Sequence, residues 1–198
     1  GMKAAAKKAF GSDSLEGKKI SVQGVGHVGG YLVELLAKEN AEIFITDIYE
    51  DRLQEVSSKY GAKVVSMDEI YDLDVDIYSP CALGGTINDS TLDRLKCQVI
   101  AGCANNQLRD EKVHGPALVE RGIVYAPDFL INAGGLINVY SELNGYNRES
   151  AYAQTERIYG YTLDIFELAE REGIHNQAAA MKMAEKRIQS IGKVRSTY

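Results

Sequence analysis

From Lys18 onward, short β-branched runs alternate with stretches in which apolar positions recur every three or four residues. The runs Lys19–Gln23, Glu42–Thr46, Lys63–Val65, Val75–Tyr78, Gln98–Ala101 and Ile123–Tyr125 predict six strands. The stretches between them predict helices over 27–39, 51–60, 89–95 and 110–121. Such alternation predicts an α/β fold with a mostly parallel sheet covered by helices on both faces. In the first long helix, Val28, Leu32, Leu35 and Leu36 fall at i, i+4, i+7 and i+8, which predicts one buried stripe.

The pattern changes at both ends. Residues 2–10 predict a short helix, broken at Gly11-Ser12-Asp13. After residue 128 strands cease and helices are predicted over 129–143, 148–172 and 176–192. Ile158, Tyr161, Thr162, Ile165, Phe166 and Ala169 share one face of the middle helix; Met181, Ala184, Ile188 and Ile191 share a face of the last. The expected organisation is a single domain: leading helix and linker 1–17, sheet core 18–128, C-terminal helices 129–198. Those tail helices need a surface to pack on, and a sheet already clothed by its own helices leaves some of them short of one.

Composition narrows the partners. The chain has 198 residues, 45% apolar and 25% charged, an ordinary globular balance. With a net charge of −6 and no basic run, nucleic acid and anionic membranes are poor partners. No apolar stretch approaches the ~20 residues of a membrane span, and no secretory leader is evident after Met2. Cys81, Cys97 and Cys103 are odd in number and lack C-x-x-C spacing; this suits a reducing, cytoplasmic setting and gives no metal signature.

The chemistry begins at Gly24-Val25-Gly26-His27-Val28-Gly29, a G-x-G-x-x-G loop between a strand and an amphipathic helix. Gly24 allows the tight turn, Gly26 lets backbone approach a pyrophosphate, and Gly29 lets helix and strand pack closely. The helix N-terminus offers N–H groups to phosphate. Asp47, beside Ile48, ends the second strand 18 residues after Gly29, where a carboxylate binds the adenosine ribose hydroxyls and repels an NADP 2′-phosphate. NAD is therefore the expected cofactor of a Rossmann-type domain. Arg52, five residues on, reads as a solvated helix residue, and His27 as a solvent-facing loop residue rather than a catalytic one.

Three further motifs sit beyond strand ends, where open α/β sheets bind ligands: Ser79–Gly85, Gly102–Gln107 and Pro127–Gly135. Ala82, Leu83, Ala104, Asn105 and Asn132 within them are candidates for the nicotinamide side, the asparagines as hydrogen-bond partners of ribose or carboxamide. Read alone, Asn105-Asn106-Gln107 is equally a polar turn and Asn132 equally a helix cap. Together with GMKAAAKKAF (1–10), Thr46-Asp47-Ile48, PCALGGTIND (80–89), ANNQL (104–108), YAPDFLINAGGLIN (125–138) and GYNRE (145–149), they make the chain resemble the Glu/Leu/Phe/Val dehydrogenase family, most closely its leucine dehydrogenase branch. It departs from the family in having Cys103 where serine is expected, His27 for asparagine, and Gly29 where alanine is frequent.

The resemblance implies oxidative deamination of an L-amino acid, branched-chain or phenylalanine, to a 2-oxo acid and ammonia with reduction of NAD⁺. It implies a partner domain, N-terminal to this sequence, that carries the catalytic lysine and aspartate. No catalytic residue is therefore assigned here, and the substrate is reached through that domain. A homo-oligomer is compatible with the family. A stand-alone NAD-binding regulatory or docking module is the other class of function the sequence allows.

Overall fold

A computed structural model of the chain describes residues 1–143 and 145–195, the last four by backbone alone. Of the segment assigned to the C-terminal helices, residue 144 and residues 196–198 lie outside the described residues.

Strands β1 (Lys19–Gln23), β2 (Glu42–Thr46), β3 (Lys63–Val64), β4 (Ile77–Pro80), β5 (Val99–Ile100) and β6 (Val124–Tyr125) form one sheet among the described residues. Its order is β3-β2-β1-β4-β5-β6 and every pairing is parallel. This is the doubly wound order with the reversal between β1 and β4, where a crevice opens at the carboxyl ends. The central strands are buried on both faces, so they read as apolar runs: Ile20, Val22 and Ile77 have no exposure.

Helices α1 (Met2–Phe10), α2 (His27–Lys38), α3 (Glu50–Tyr60) and α7 (Arg148–Glu172) cover one face through Ala5, Val33, Leu36, Leu53 and Phe166. The opposite face carries Ile70, Leu92, Leu95 and, from α4 (Glu111–Glu120), Leu118. Helices α5 (Asp128–Ile131), α6 (Gly134–Leu143) and α8 (Asn176–Arg195) complete the chain.

Strands β1 and β2, and helices α1 and α7, match their predicted bounds. Glycines in the left-handed region close α1 at Gly11 and α7 at Gly173, and Asn147 caps α7 by accepting the Ser150 N–H.

Four expectations need correction. The stripe on α2 is rotated: Gly29, Val33 and Leu36 are buried, whereas Val28 and Leu35 are 60% and 58% exposed. The cause is Gly29, which presses against the glycine-loop backbone and turns its own side of the helix inward. The helix expected over 89–95 is a run of turns. Asn88 accepts the Ser90 N–H and Thr91 donates to the Thr86 carbonyl, so side chains take bonds that helical backbone would need.

The helix expected over 129–143 breaks at Asn132-Ala133 into α5 and α6, just before a Gly-Gly pair that favours helix poorly. Among the described side chains of α8, Ala179 and Ala180 are buried; Met181, Ile188 and Ile191 are exposed. The predicted face of α7, by contrast, is buried at Ile158, Thr162, Ile165, Phe166 and Ala169. Large apolar side chains are also exposed on α6, where Leu136 and Leu143 are 73% and 80% exposed.

Candidate functional site

The carboxyl edge of β1 turns into α2 through a loop that only glycine can build. Gly24 has φ +99°, and a Cβ placed there would lie 2.7 Å from the Ala82 Cβ. A Cβ on Gly29 would run into the Gly24 carbonyl oxygen. Gly26 is the N-cap of α2 and faces open space, its nearest neighbour being the Arg52 guanidinium 3.6 Å from a built Cβ. No side chain caps α2, so its first-turn N–H groups face the crevice.

Asp47 sits at the end of β2 and binds the loop directly. Its Oδ2 accepts the Val25 N–H at 2.7 Å and its Oδ1 accepts the Tyr49 N–H at 3.0 Å. A carboxylate offers about four acceptor positions, so further donors still have room on it. Val25 is buried and its N–H is spent on Asp47, whereas His27 and Val28, at the start of α2, are exposed. Ile48 is 70% exposed next to the carboxylate. Beneath the loop, the buried Tyr78 hydroxyl donates to Gln23 Oε1 at 2.5 Å, and Gln23 Nε2 donates to the Tyr71 hydroxyl. Burial pushes the Tyr78 phenol well above its ordinary range, so this post stays neutral.

A second group lies across the β4 and β5 ends. The Asn132 amide donates to Asn105 Oδ1 at 2.6 Å and to the Cys103 carbonyl at 3.3 Å. The break after α5 is what frees this side chain to reach inward. Loop 82–85 is pressed on loop 104–107: a Cβ on Gly84 would clash with the Asn105 and Asn106 carbonyls, and the Gly85 N–H donates to the Asn106 oxygen at 2.7 Å. Ala82 and Leu83 are exposed on the first loop, Leu83 at 82%; Ala104 is buried. The two loops border a cavity of about 520 Å³ with Arg109 at its rim.

Two supports escaped the sequence reading. Gln107 is fully buried, its amide donating to the Gly102 and Ala104 carbonyls at 2.8 and 3.0 Å. Asp128, also buried, accepts the Gln107 and Phe129 N–H groups at 2.8 and 2.6 Å. Together they tie the β5 loop to the start of α5. Their only sequence signal was position beside the asparagines. Arg52 is exposed on α3, in keeping with its reading as a solvated helix residue; its guanidinium lies 4.3 Å from the Tyr49 ring and borders a cavity of about 380 Å³ shared with Gly26 and His27.

The sheet order, with the glycine turn after β1 and the acid after β2, defines a Rossmann-like α/β domain. The chain belongs to the Glutamate/Leucine/Phenylalanine/Valine dehydrogenase family, whose sequence pattern matches residues 45–193. The leucine dehydrogenase of Thermoactinomyces intermedius is 55% identical over 198 residues, covering all of this chain and 54% of that protein. The crystal structure of L-tryptophan dehydrogenase from Nostoc punctiforme superposes with a TM-score of 0.93 at 46% identity, over 96% of this chain and 57% of the other. A hetero-hexameric glutamate dehydrogenase from Thermus thermophilus, 21% identical with a TM-score of 0.74 over all of this chain and 53% of the other, shares the fold. The chain spans about half the length of the curated relatives it matches. Among the described residues, no helix is long and apolar enough to cross a membrane.

Proposed function

We propose that residues 1–198 form the NAD-binding domain of an NAD-dependent amino-acid dehydrogenase, one that deaminates a branched-chain or aromatic L-amino acid to its 2-oxo acid. The observation that carries this reading is the bond from the Val25 N–H to Asp47, which joins the phosphate-type loop and the ribose-type carboxylate into one rigid unit. The cradle suits a dinucleotide. Gly24 and Gly29 leave no space for side chains, while Gly26 leaves the approach to the uncapped α2 terminus open.

In this reading His27, Val28 and the α2 N-terminus hold the pyrophosphate, and Asp47 with Ile48 holds the adenosine ribose. Ala82, Leu83, Asn105 and Asn132 border the nicotinamide, with Ala104 as buried floor. Val25 contributes its loop geometry rather than a free donor. When bound, NAD⁺ accepts the hydride; this chain's own residues fix its position and charge environment.

Relatives named for leucine, tryptophan and phenylalanine support the substrate class. In this assignment the proton-transfer groups lie on a second domain, and the exposed apolar face of α6 is available for contact with it or with another subunit.

Isothermal titration of the chain with NAD⁺ and NADP⁺ tests the reading. Saturable NAD⁺ binding that exceeds NADP⁺ binding is expected, and is lost in Gly26→Asp. Absence of binding to either nucleotide, or a preference for NADP⁺, would sink it.

A further inference from the structure

Cys81 and Cys103 are brought together by the sheet. The parallel register pairs Ile77 with Val99 and Tyr78 with Ile100; beyond this ladder the pairing slips by one residue, the Ala101 N–H donating to the Tyr78 carbonyl but the Ala104 N–H to the Pro80 carbonyl, so residues 102–104 stay against Pro80, next to Cys81. The strands stay close beyond the ladder: Ala104 N–H donates to the Pro80 carbonyl at 2.9 Å, and Gly102 is packed so tightly on Pro80 that a Cβ there would clash. A disulfide spans ~4.4–6.8 Å between Cα atoms, the scale of such a close backbone approach. The two thiols lie against each other, and each residue keeps partial exposure.

The contact is asymmetric. Hydrogen bonding from the Cys103 thiol holds Cys81 below the ordinary thiol range, against the opposing effect of burial, with Ser79 Oγ 3.4 Å from its sulfur. The same contact, with burial, pushes Cys103 up. Cys81 is thus the more nucleophilic member and Cys103 the proton-holding one. Cys97 is buried apart from them, its thiol pushed up to about 12.

Both cysteines are wired to the crevice. A Cβ on Gly29 would sit 3.4 Å from the Cys81 Cβ, and the next residue, Ala82, abuts Gly24. The Cys103 carbonyl accepts from Asn132, whose amide also holds Asn105. Drawing the sulfurs from contact to the ~2.05 Å of a bond displaces both loops.

We propose that Cys81 and Cys103 form a reversible disulfide that closes the nicotinamide end of the crevice under oxidation by a hydroperoxide. The Cys81 thiolate attacks the O–O bond, giving a sulfenic acid and an alcohol or water. The Cys103 sulfur then displaces the hydroxyl as water, taking up the proton it gives off, and the S–S bond forms. Two thiols are oxidised as one hydroperoxide is reduced. A small thiol reductant reverses the step by exchange. Such a pair is the transient, sensing type found in reducing compartments. The gating half of the proposal rests on the cofactor reading above; the disulfide does not.

The test uses the reduced 198-residue chain, titrated with NAD⁺ before and after stoichiometric hydrogen peroxide, with peptide mapping by mass spectrometry. Expected are a loss of two hydrogens, a Cys81–Cys103 cross-linked peptide pair, free Cys97, and full reversal by dithiothreitol. NAD⁺ affinity should fall about tenfold on oxidation, the equivalent of one good hydrogen bond. Cys103→Ser should stop at the Cys81 sulfenic acid, trapped by dimedone, and give no cross-linked pair.

Over-oxidation of Cys81 without a cross-link overturns the proposal, as does pairing through Cys97. A cross-link that leaves NAD⁺ affinity unchanged overturns the gating. Failure of the reduced chain to bind NAD⁺ is a failure of the cofactor reading, seen before oxidant is added; the peptide map is independent of it.

Discussion

The Asp47 carboxylate and the Val25 N–H are joined by a 2.7 Å hydrogen bond, so the residue expected to select the cofactor also braces the loop that would hold its phosphates. Asp47→Ser should therefore do two things. Losing a charge-assisted bond to ribose should weaken NAD⁺ binding by roughly 1.5–3 kcal/mol, about ten- to hundred-fold. Losing the brace should also lower the melting temperature without ligand. The Arg52 guanidinium beside Gly26 would then be the nearest cation for a 2′-phosphate. Asp47→Ser should gain NADP⁺ binding, and adding Arg52→Ala should remove that gain. Unchanged NAD⁺ affinity in Asp47→Ser would take the carboxylate out of the site.

The family resemblance leads to an expectation of alanine at Gly29, yet here a Cβ would meet the Gly24 carbonyl oxygen. That oxygen is backbone and cannot swing aside as a side chain does. Gly29→Ala should force α2 away from β1 and cost about 1–3 kcal/mol, the usual range for overpacking. Chemical denaturation measures this directly. A variant as stable as the parent would show that the helix has slack at this point.

The strand pattern was legible because burial on both sheet faces leaves long apolar runs, as in β1 and β2. The glycine loop was legible because two of its glycines answer backbone demands: Gly24 sits at φ +99° and Gly29 leaves no room for a Cβ. The α2 stripe was misread because periodicity counts large apolar residues, whereas Gly29, with no side chain, sets the contact. Segment 89–95 carried a helical pattern, but Asn88 and Thr91 spend their side chains on local backbone. Gln107 and Asp128 stayed unseen because buried polar partners 21 residues apart have no signature in spacing.

His175 gives the chain an acid-sensitive joint. Its Nδ1 accepts the Ala178 N–H at 3.3 Å at the start of α8, and its ring fills the space above Gly115. Burial lowers its pKa from 6.5, with Glu111 partly opposing. The unfolded chain therefore holds the proton more readily than the folded one. The stability contribution is complete above pH 6.5 and declines as pH falls through 6.5 toward the folded value. Protonation also removes the acceptor and sets a positive charge at a helix N-terminus. Melting curves by circular dichroism from neutral pH to about pH 5 should fall more steeply for the parent than for His175→Asn, which keeps a capping acceptor without the titration. Equal slopes would remove His175 as the cause.

The chain by itself should bind cofactor yet fail to oxidise leucine, valine, isoleucine or phenylalanine. It spans about half the length of its dehydrogenase relatives, and the family resemblance puts the lysine and aspartate of proton transfer on the other half. What this half offers at the crevice is positioning: Asn105 and Asn132 bonded to each other, and loops 82–85 and 104–107 locked face to face. Without an opposing wall, the substrate carboxylate has no clamp and water is not excluded. Positioning is worth ~7–11 kcal/mol and general acid–base help ~10²–10⁴-fold, so their joint absence leaves a rate at background. The exposed Leu136, Val139 and Leu143 on α6 lie a few residues beyond Asn132 and give such a wall an apolar seat, which should also make the chain self-associate at high concentration. NADH formation, followed by absorbance at alkaline pH with each amino acid in excess, checks the first expectation; light scattering checks the second. Turnover clearly above a protein-free control, and abolished by Gly26→Asp, would mean that this half holds its own proton acceptor and that the division of labour drawn here is wrong.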